Sequence, residues 1–394
     1  MDGGSAGVGQ AAAPGARAGE AGRVKFGLLY ELEYARPWRP GFERDLFHQA
    51  LDQIELADRV GFDYVWMVEH HFLTEYSHSS APEVFLGAVS QRTQRIRLGH
   101  GIVLLPMAYN HPVRVAERIA TLDILSNGRV DFGTGRSGTP IELGGFGIDP
   151  ALSREMWEEA VSIIPRMWQD ESFSYEGRFF SVPERNIVPK PLQKPHPPMW
   201  VAAGSPSTFQ RAGAHGLGVL CFIIGKPASL AARVGEYREA IRTARPAAGV
   251  VNEQVAGFTV TLCLDDDREA RAIGGPAALW YTHMLSSILG DWRGQCVPGY
   301  EYYAKLGEEA RDQAGEDLGN LLENGTYCIG DPAACIRTVK KYQDAGVDQM
   351  ICFMQAGRIP HEKIMRSIAL FGEQVIPAFR ADDQTAGGEE HAHD

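Results

Sequence analysis

The sequence predicts an α/β fold, a closed (β/α)₈ TIM barrel with insertions. Eight short runs rich in β-branched and aromatic residues recur along the chain, and most of them are apolar almost continuously, as expected for strands covered on both faces. The runs are 24–30, 63–69, 97–105, 129–135, 199–203, 218–224, 255–264 and 348–354. An open, doubly wound sheet is the alternative, but the length of 394 residues and the strand count favour closure.

Segments between these runs have the apolar periodicity of helices. The clearest are 42–61, 111–129, 151–169 and 360–377. The first stops at Gly61, a residue suited to the left-handed position that follows many helices, and the second ends in Asn127-Gly128. A helix after each strand is what a β/α barrel requires.

Two segments interrupt this alternation within the single barrel domain expected over 24–380. Residues 171–197 are aromatic and then proline-rich, which predicts a short hairpin followed by an extended arm. Residues 265–330 are long, aromatic and interrupted by glycine. Connections of that length in a compact fold are usually functional, so we expect a lid or a substrate-binding insert. A packing elaboration or an oligomer contact is the alternative.

Composition limits the classes of partner and the compartment. The formal charge of −12 argues against nucleic acid, and no apolar stretch approaches the roughly 20 residues of a membrane helix. Residues 1–23 and 381–394 are expected to be disordered tails, and the first lacks the apolar core of a signal peptide. We therefore expect a cytoplasmic protein. The six cysteines form no C-x-x-C pair and have no histidine at zinc spacing, so we expect reduced thiols and no metal.

Polar residues stand where the second and third predicted strands end, the edge that carries the active site in β/α barrels. The second strand ends in Glu69-His70, whose titratable side chains suit acid–base chemistry. The third contains His100-Gly101, and a glycine inside a strand often marks the close approach of a ligand. A purely structural hydrogen-bonded pair of Glu69 and His70 is the alternative interpretation.

The fourth and fifth strands end in features that suit a phosphate group. A glycine-rich loop follows the fourth strand and carries Arg136 and Ser137, which places a fixed cation at the barrel edge. A helix start follows the fifth strand, where free N–H groups attract anions. Its candidate residues are Ala203, Gly204, Ser205 and Ser207. Ordinary turn chemistry and a helix start without a ligand are the alternatives.

Four runs together resemble the bacterial luciferase-like family of flavin-dependent monooxygenases. They are VWMVEHHFLTEY (65–76), HGIVLLP (100–106), NHPVRVAERIATLDILSNGRVDFGTGR (110–136) and GGFG (144–147). The resemblance extends over most of the chain from about residue 24 to residue 380 and is densest over 63–150.

The resemblance implies a role for individual residues. His70 matches the histidine implicated in luciferase catalysis, Glu142 its acidic partner, and Glu69 a glutamate of the flavin pocket. Together with the strand ends, it predicts the cofactor-binding residues Glu69, His100, Gly101, Ile102, Arg136, Ser137, Ala203, Gly204, Ser205 and Ser207. The family also has a non-proline cis peptide against the flavin ring, which falls on Gly101–Ile102.

The implied activity is that of a two-component monooxygenase. Reduced FMN, delivered by a separate flavin reductase, reacts with O₂ to form a flavin 4a-hydroperoxide, which oxidises a small, apolar organic substrate. A deazaflavin-coenzyme-dependent oxidoreductase that transfers hydride is the alternative within the family, and the EHHF motif favours FMN. A flavin-binding subunit without chemistry of its own is the alternative from another class.

The aromatic residues of the 265–330 insert suggest an apolar or aromatic substrate. Trp280, His283 and Trp292 are the candidate substrate-binding residues, unless these rings simply pack the insert onto the barrel. The resemblance also implies a homodimer through the helices that follow the second and third strands, here about 81–92 and 111–126.

Overall fold

Eight parallel strands close into a barrel in the computed structural model, which describes residues 23–222, 225–246 and 249–380. The strands are β1 Lys25–Tyr30, β2 Tyr64–Met67, β3 Arg97–His100, β4 Val103–Leu104, β5 Val130–Gly135, β6 Phe173–Glu176, β7 Ser181–Arg185, β8 Met199–Ala202, β9 Gly218–Cys221, β10 Val255–Cys263, β11 Cys328–Gly330 and β12 Gln349–Phe353. The barrel order is β1, β2, β3, β5, β8, β9, β10 and β12, and β12 pairs with β1. The predicted closed barrel is confirmed.

Helices follow the strands and cover the barrel. They are α1 Phe42–Val60, α2 Pro82–Arg92, α3 Pro112–Leu125, α4 Pro140–Gly145, α5 Ser153–Gln169, α6 Pro206–His215, α7 Ala231–Ile241, α8 Asp267–Gly290, α9 Glu301–Ala314, α10 Leu318–Glu323, α11 Pro332–Asp344, α12 His361–Leu370 and α13 Ile376–Ala378. Two short 3₁₀ turns (Pro150–Leu152, Pro227–Ser229) and a π-helical turn (Phe371–Val375) complete the set. Helix α1 ends at Gly61, which adopts the predicted left-handed conformation with φ 99°. Within the described part of the chain, no helix has the length and apolar character needed to cross a membrane.

The predicted third strand is broken in two. The backbone N–H of Gly101 donates to the carbonyl of Met67 at 2.8 Å, and pairing with β5 resumes at β4. The cis peptide expected at Gly101–Ile102 is wrong, because the cis bonds of the described residues all precede proline. The local hydrogen bonds are made with an ordinary trans peptide, which avoids the cost of a cis bond at a non-proline residue.

The two inserts differ in kind. Residues 171–197 contain the predicted hairpin, formed by the antiparallel strands β6 and β7. Residues 265–330 are mainly helical, with α8, α9 and α10, and end in β11, which pairs with β10 and extends the sheet. The predicted tails, residues 1–23 and 381–394, fall outside the described residues apart from Arg23.

The barrel interior requires a glycine opposite a tryptophan. Trp66 of β2 is fully buried, donates its indole N–H to Gln349 at 2.9 Å, and lies beside Gly99 of β3 in the strand register. A Cβ atom on Gly99 would lie 2.1 Å from the Trp66 ring. The ring therefore fills the space that a side chain at residue 99 would need.

Replacing Gly99 with alanine is expected to destabilise the fold by about 1–3 kcal/mol, because the crowded Trp66 ring must shift. The change is measured as the midpoint of urea unfolding. Gly235→Ala is the matched control, since a Cβ on this helical glycine of α7 meets nothing within 4 Å and alanine favours helix. Equal midpoints for the two variants would contradict the packing interpretation.

Candidate active site

A cavity opens at the carboxyl ends of the barrel strands. Its lining comes from the strand ends, from the start of α6 and from one face of α8. The wall carries His70 and three arginines, and it also includes apolar side chains such as Val68, Ile102 and Leu285.

His70 lies on this wall, and a fully buried residue behind it, Glu142, pairs with its ring. Nδ1 of His70 lies 2.9 Å from Oε1 of Glu142, which also accepts the backbone N–H of His71 at 2.9 Å. The other oxygen, Oε2, accepts the hydroxyls of Ser137 at 2.8 Å and Thr139 at 2.6 Å. Thr139 is also the N-cap of α4, which brings Glu142 to the strand ends. The acid–histidine pairing predicted from the resemblance is therefore present.

The pairing sets the charge of both groups. Burial lowers the pKa of His70, but the charge and hydrogen bond of Glu142 outweigh it and hold this pKa above its usual value. Burial would raise the pKa of Glu142, but His70 and the other donors lower it to about 2. Because Nδ1 faces Glu142, Nε2 of His70 is the nitrogen free to exchange a proton with a ligand.

The stability that this pair contributes has a defined pH window. The contribution of Glu142 is present above its unfolded pKa of 4.5 and is lost as the pH falls towards about 2. The contribution of His70 is present below 6.5 and is lost as the pH rises through its raised pKa. The ion pair therefore stabilises the fold most between pH 4.5 and pH 6.5, the unfolded pKa values of Glu142 and His70.

Glu142→Gln is expected to lower the free energy of unfolding by up to about 3 kcal/mol at pH 6, from the size of the Glu142 shift. The deficit should shrink as the pH falls from 4.5 towards the lower limit of folding. Thermal melts of both proteins between pH 3.5 and 7 measure it. Glu308→Gln, on an exposed part of α9, is the control, and a deficit that does not change with pH would reject the charge-based explanation.

Arg136, Arg154 and Arg211 line another part of the wall together with Gly204 and Thr208. Arg136 donates to the hydroxyl of Ser153 at 2.8 Å. Burial lowers the pKa of Arg154, and the positive charges of Arg136 and Arg211 lower it further. Arg211 is paired with Glu158, and the remaining positive charge favours an anion, such as a phosphate, at the start of α6.

The start of α6 is the predicted helix cap, but its serines serve the helix. The hydroxyl of Ser205 accepts the N–H of Thr208 at 3.3 Å and lies 3.0 Å from the hydroxyl of Ser207. Ala203 and Gly204 line the cavity as predicted, whereas Ser205 and Ser207 are not on its wall. The Ser205 hydroxyl is engaged in capping the helix. Thr208, which was not among the predicted residues, lines the cavity instead.

Of the predicted residues of the second and third strands, some line the cavity and one does not. Glu69, Gly101 and Ile102 line the cavity. The Glu69 carboxylate accepts the backbone N–H of Leu104 and the side-chain N–H of Asn110, each at 2.8 Å. Both of its oxygens are therefore engaged in holding the loop after β4, and its predicted catalytic role stays a prediction.

His100 was predicted to bind the cofactor, but the structure places its side chain away from the cavity. Its side chain is fully buried and is not part of the cavity wall. Burial lowers its pKa to about 4, and the charges that act on it are Glu83 of α2 and Arg118 of α3, helices outside the barrel. Because side chains alternate along a strand, His100 faces these helices rather than the mouth.

The three predicted substrate-binding residues are also placed elsewhere. His283 is exposed, Trp280 packs beside Gly357, and Trp292 stacks on Tyr300 with ring centroids 4.2 Å apart. None of them is on the cavity wall, which α8 reaches instead through Tyr281, Leu285, Ile288 and Leu289. Helical periodicity explains the difference, since residues spaced by three and four share one face of a helix. Trp292 therefore fits the alternative interpretation, in which the aromatic rings of the insert only pack it in place.

Sequence reasoning missed several wall residues. Arg154 and Arg211 lie on helices, where no spacing distinguishes a ligand from a surface arginine. Glu31 follows β1 directly and could have been found by the rule that identified Glu69 and His70. Its carboxyl is buried on the cavity wall, and burial raises its pKa to about 7.

Comparisons with known proteins agree with this geometry. A family model described as luciferase-like monooxygenase matches residues 33–349. Limonene 1,2-monooxygenase of Rhodococcus erythropolis is 28% identical over 371 residues, which are 92% of this chain and 88% of that protein. The crystal structure of monooxygenase RslO1 from Streptomyces bottropensis superposes with a TM-score of 0.75 and 28% identity, covering 90% of this chain and 100% of that one.

The names of two further relatives mention different cofactors, and a third relative has a name without a cofactor. F420-dependent glucose-6-phosphate dehydrogenase of Amycolatopsis mediterranei is 26% identical over 343 residues, 86% of this chain and 95% of that protein. The oxygenase component of flavin-dependent trigonelline monooxygenase of Acinetobacter baylyi is 32% identical over 200 residues, 50% and 53% of the two chains. Protein y4wF of Sinorhizobium fredii is 40% identical over 189 residues, 47% and 54%. The chain spans about half the length of these last two relatives.

Proposed function

The chain belongs to the luciferase-like monooxygenase family, and on that premise we propose that it is the oxygenase component of a two-component monooxygenase. It binds reduced FMN supplied by a separate reductase and uses O₂ to oxidise a small, mostly apolar organic substrate. The observation that carries the proposal is one cavity lined by three arginines and by His70, whose ring is held by the buried Glu142. The named oxygenase component among the relatives supports the need for a reductase.

The residues present fit FMN. Arg136, Arg154 and Arg211 would hold its phosphate, because a phosphate monoester relieves the repulsion that lowers the pKa of Arg154. Thr208 and Gly204, at the start of α6, add donors beside them. Apolar side chains of the same cavity, such as Val68, Ile102 and Leu104, would receive the isoalloxazine ring.

Bound reduced FMN supplies the electrons that activate O₂. The role of the protein is to hold the reactants, exclude water and move a proton. His70, whose pKa is raised because Glu142 outweighs the effect of burial, donates that proton from Nε2 while Glu142 fixes the orientation of the ring. Leu285, Ile288 and Leu289 of α8 keep this part of the cavity apolar.

An anaerobic titration followed by admission of O₂ tests this function. The purified protein is titrated with reduced FMN and, separately, with reduced F420, and oxygen is then added to each complex. We expect tight binding of reduced FMN and slow reoxidation through a long-lived absorbance that neither reduced nor oxidised FMN has. Tight binding of reduced F420 with background binding of FMN would replace the proposal by hydride transfer, which the F420-dependent relative represents. Tight FMN binding with reoxidation as fast as free FMN would leave a flavin-binding protein without oxygenase chemistry.

A homodimer through α2 and α3 is part of the proposal. Three apolar side chains on these helices are exposed, namely Val84 (71%), Ile124 (44%) and Leu125 (52%), and such a patch favours an interface. Light scattering on the purified protein is expected to give twice the monomer mass, and Val84→Glu with Leu125→Glu should halve it. A monomer before any substitution would reject the dimer.

A further inference from the structure

A cluster of three oxygen-bearing side chains lies on the cavity wall, and the proposed proton transfer does not use it. Glu31 follows β1, Tyr76 follows β2, and Tyr281 lies on α8. Oε1 of Glu31 accepts the hydroxyl of Tyr281 at 2.9 Å and that of Tyr76 at 3.3 Å. The two hydroxyls lie 2.9 Å apart. We call these three residues the carboxyl–tyrosine cluster.

The cluster is incomplete as it stands. Its oxygens make three mutual contacts, for which the two tyrosine hydroxyls supply two hydrogens. Oε2 of Glu31 is buried and has no hydrogen-bond partner among the described residues. Buried polar atoms almost always have one, so a group from outside the chain is needed to complete the cluster.

The surroundings define what that group is attached to. Val68, Phe222 and Leu285 line the same cavity, and the Tyr76 and Tyr281 rings are nearly parallel with centroids 5.5 Å apart. A ligand here meets these apolar and aromatic side chains, and His70, whose ring centroid lies 5.5 Å from that of Tyr76, is the neighbouring charged group. The orphaned acceptor then requires one hydrogen-bond donor on an otherwise apolar molecule.

We propose that the carboxyl–tyrosine cluster binds the hydroxyl group of the substrate, and that the substrate is a phenol with a largely apolar aromatic body. Glu31 accepts the hydrogen bond from this hydroxyl. A phenol suits the site better than an aliphatic alcohol, because a more acidic donor makes a stronger hydrogen bond to a carboxylate. This inference rests on the proposed function only in treating the cavity as the substrate site.

The test compares two probes that differ by one hydroxyl, 2-naphthol and naphthalene, with the full-length protein. Binding is measured by calorimetry or ligand fluorescence without flavin. The measurement is made at about pH 8.5, where Glu31 is ionised although burial raises its pKa to about 7. We expect 2-naphthol to bind about ten- to hundredfold more tightly, the effect of one hydrogen bond to a charged group. Glu31→Leu should remove this preference while naphthalene binding changes less than about threefold, which also shows that the variant is folded. Tyr281→Phe, which keeps the ring, should lose part of it.

Glu33→Gln is the matched control, because Glu33 is a second buried acid after β1 but is not on the cavity wall. It should keep the preference for 2-naphthol. Equal binding of the two probes by the unsubstituted protein, binding of neither, or an unchanged preference in Glu31→Leu would overturn the inference. Because no flavin is present, these results are independent of the FMN titration. Tight FMN binding without a preference for 2-naphthol rejects only the phenol inference. A preference for 2-naphthol without FMN binding rejects only the proposal that FMN is the cofactor.

Discussion

Replacing Arg154 with methionine is expected to weaken the binding of reduced FMN by about ten- to hundredfold, as the loss of a charge-assisted hydrogen bond does. Burial lowers the pKa of Arg154, and the charges of Arg136 and Arg211 lower it further. Because Arg211 is already paired with Glu158, an anion gains mainly from Arg136 and Arg154. Reduced riboflavin, which lacks the phosphate, should bind the variant and the unsubstituted protein equally. Anaerobic titrations with both flavins measure the difference.

The control for this substitution is on the same helix. Arg166 also lies on α5, but it is half exposed, pairs with Asp170 and is not on the cavity wall. Arg166→Met should bind reduced FMN as the unsubstituted protein does. A loss of riboflavin affinity equal to the loss of FMN affinity in Arg154→Met would show that the substitution disturbs the pocket as a whole, and that Arg154 does not hold a phosphate.

Part of the site could be predicted from a single rule about strand ends, whereas Glu142 was predicted only from the family resemblance. Parallel strands in a barrel end at the same edge, so polar residues that close apolar runs are brought together without further information. Glu69, His70 and Arg136 were found in this way, and each lines the cavity. His100 shows the limit of the rule, because alternation along β3 turns its side chain outward.

The residues that the sequence did not predict come from helices and from tertiary contacts. Arg211 is an arginine on an amphipathic helix, which composition cannot separate from a surface residue. On α8, the choice of Trp280 and His283 followed residue type, whereas the face defined by Tyr281, Leu285 and Ile288 follows the helical period. The broken third strand depends on a hydrogen bond from Gly101 to Met67, which no local pattern indicates.

Replacing His70 with alanine is expected to slow product formation by about a hundred- to ten-thousandfold, the usual contribution of a positioned acid or base, so that the yield of oxidised product per reduced FMN falls. The reason is that Nε2 of His70 is the proton donor of the proposed reaction. The fold should persist, because Glu142 still accepts His71 N–H and the Ser137 and Thr139 hydroxyls. Single-turnover product analysis with a substrate that the unsubstituted protein oxidises measures the yield, and reduced FMN should bind within about threefold of normal.

Two controls separate proton transfer from a structural effect. His71→Ala removes the neighbouring imidazole, whose ring packs on Phe146 with centroids 4.9 Å apart and is not on the cavity wall, so product yield should change little. Added imidazole should partly restore turnover in His70→Ala, because it supplies the missing acid in the space the side chain leaves. In the unsubstituted protein the yield should fall as the pH rises through the raised pKa of His70, when the donor is lost. A full yield in His70→Ala, or no response to imidazole or pH, would show that another group on the wall donates the proton. Glu31 is the best alternative donor, since burial raises its pKa to about 7.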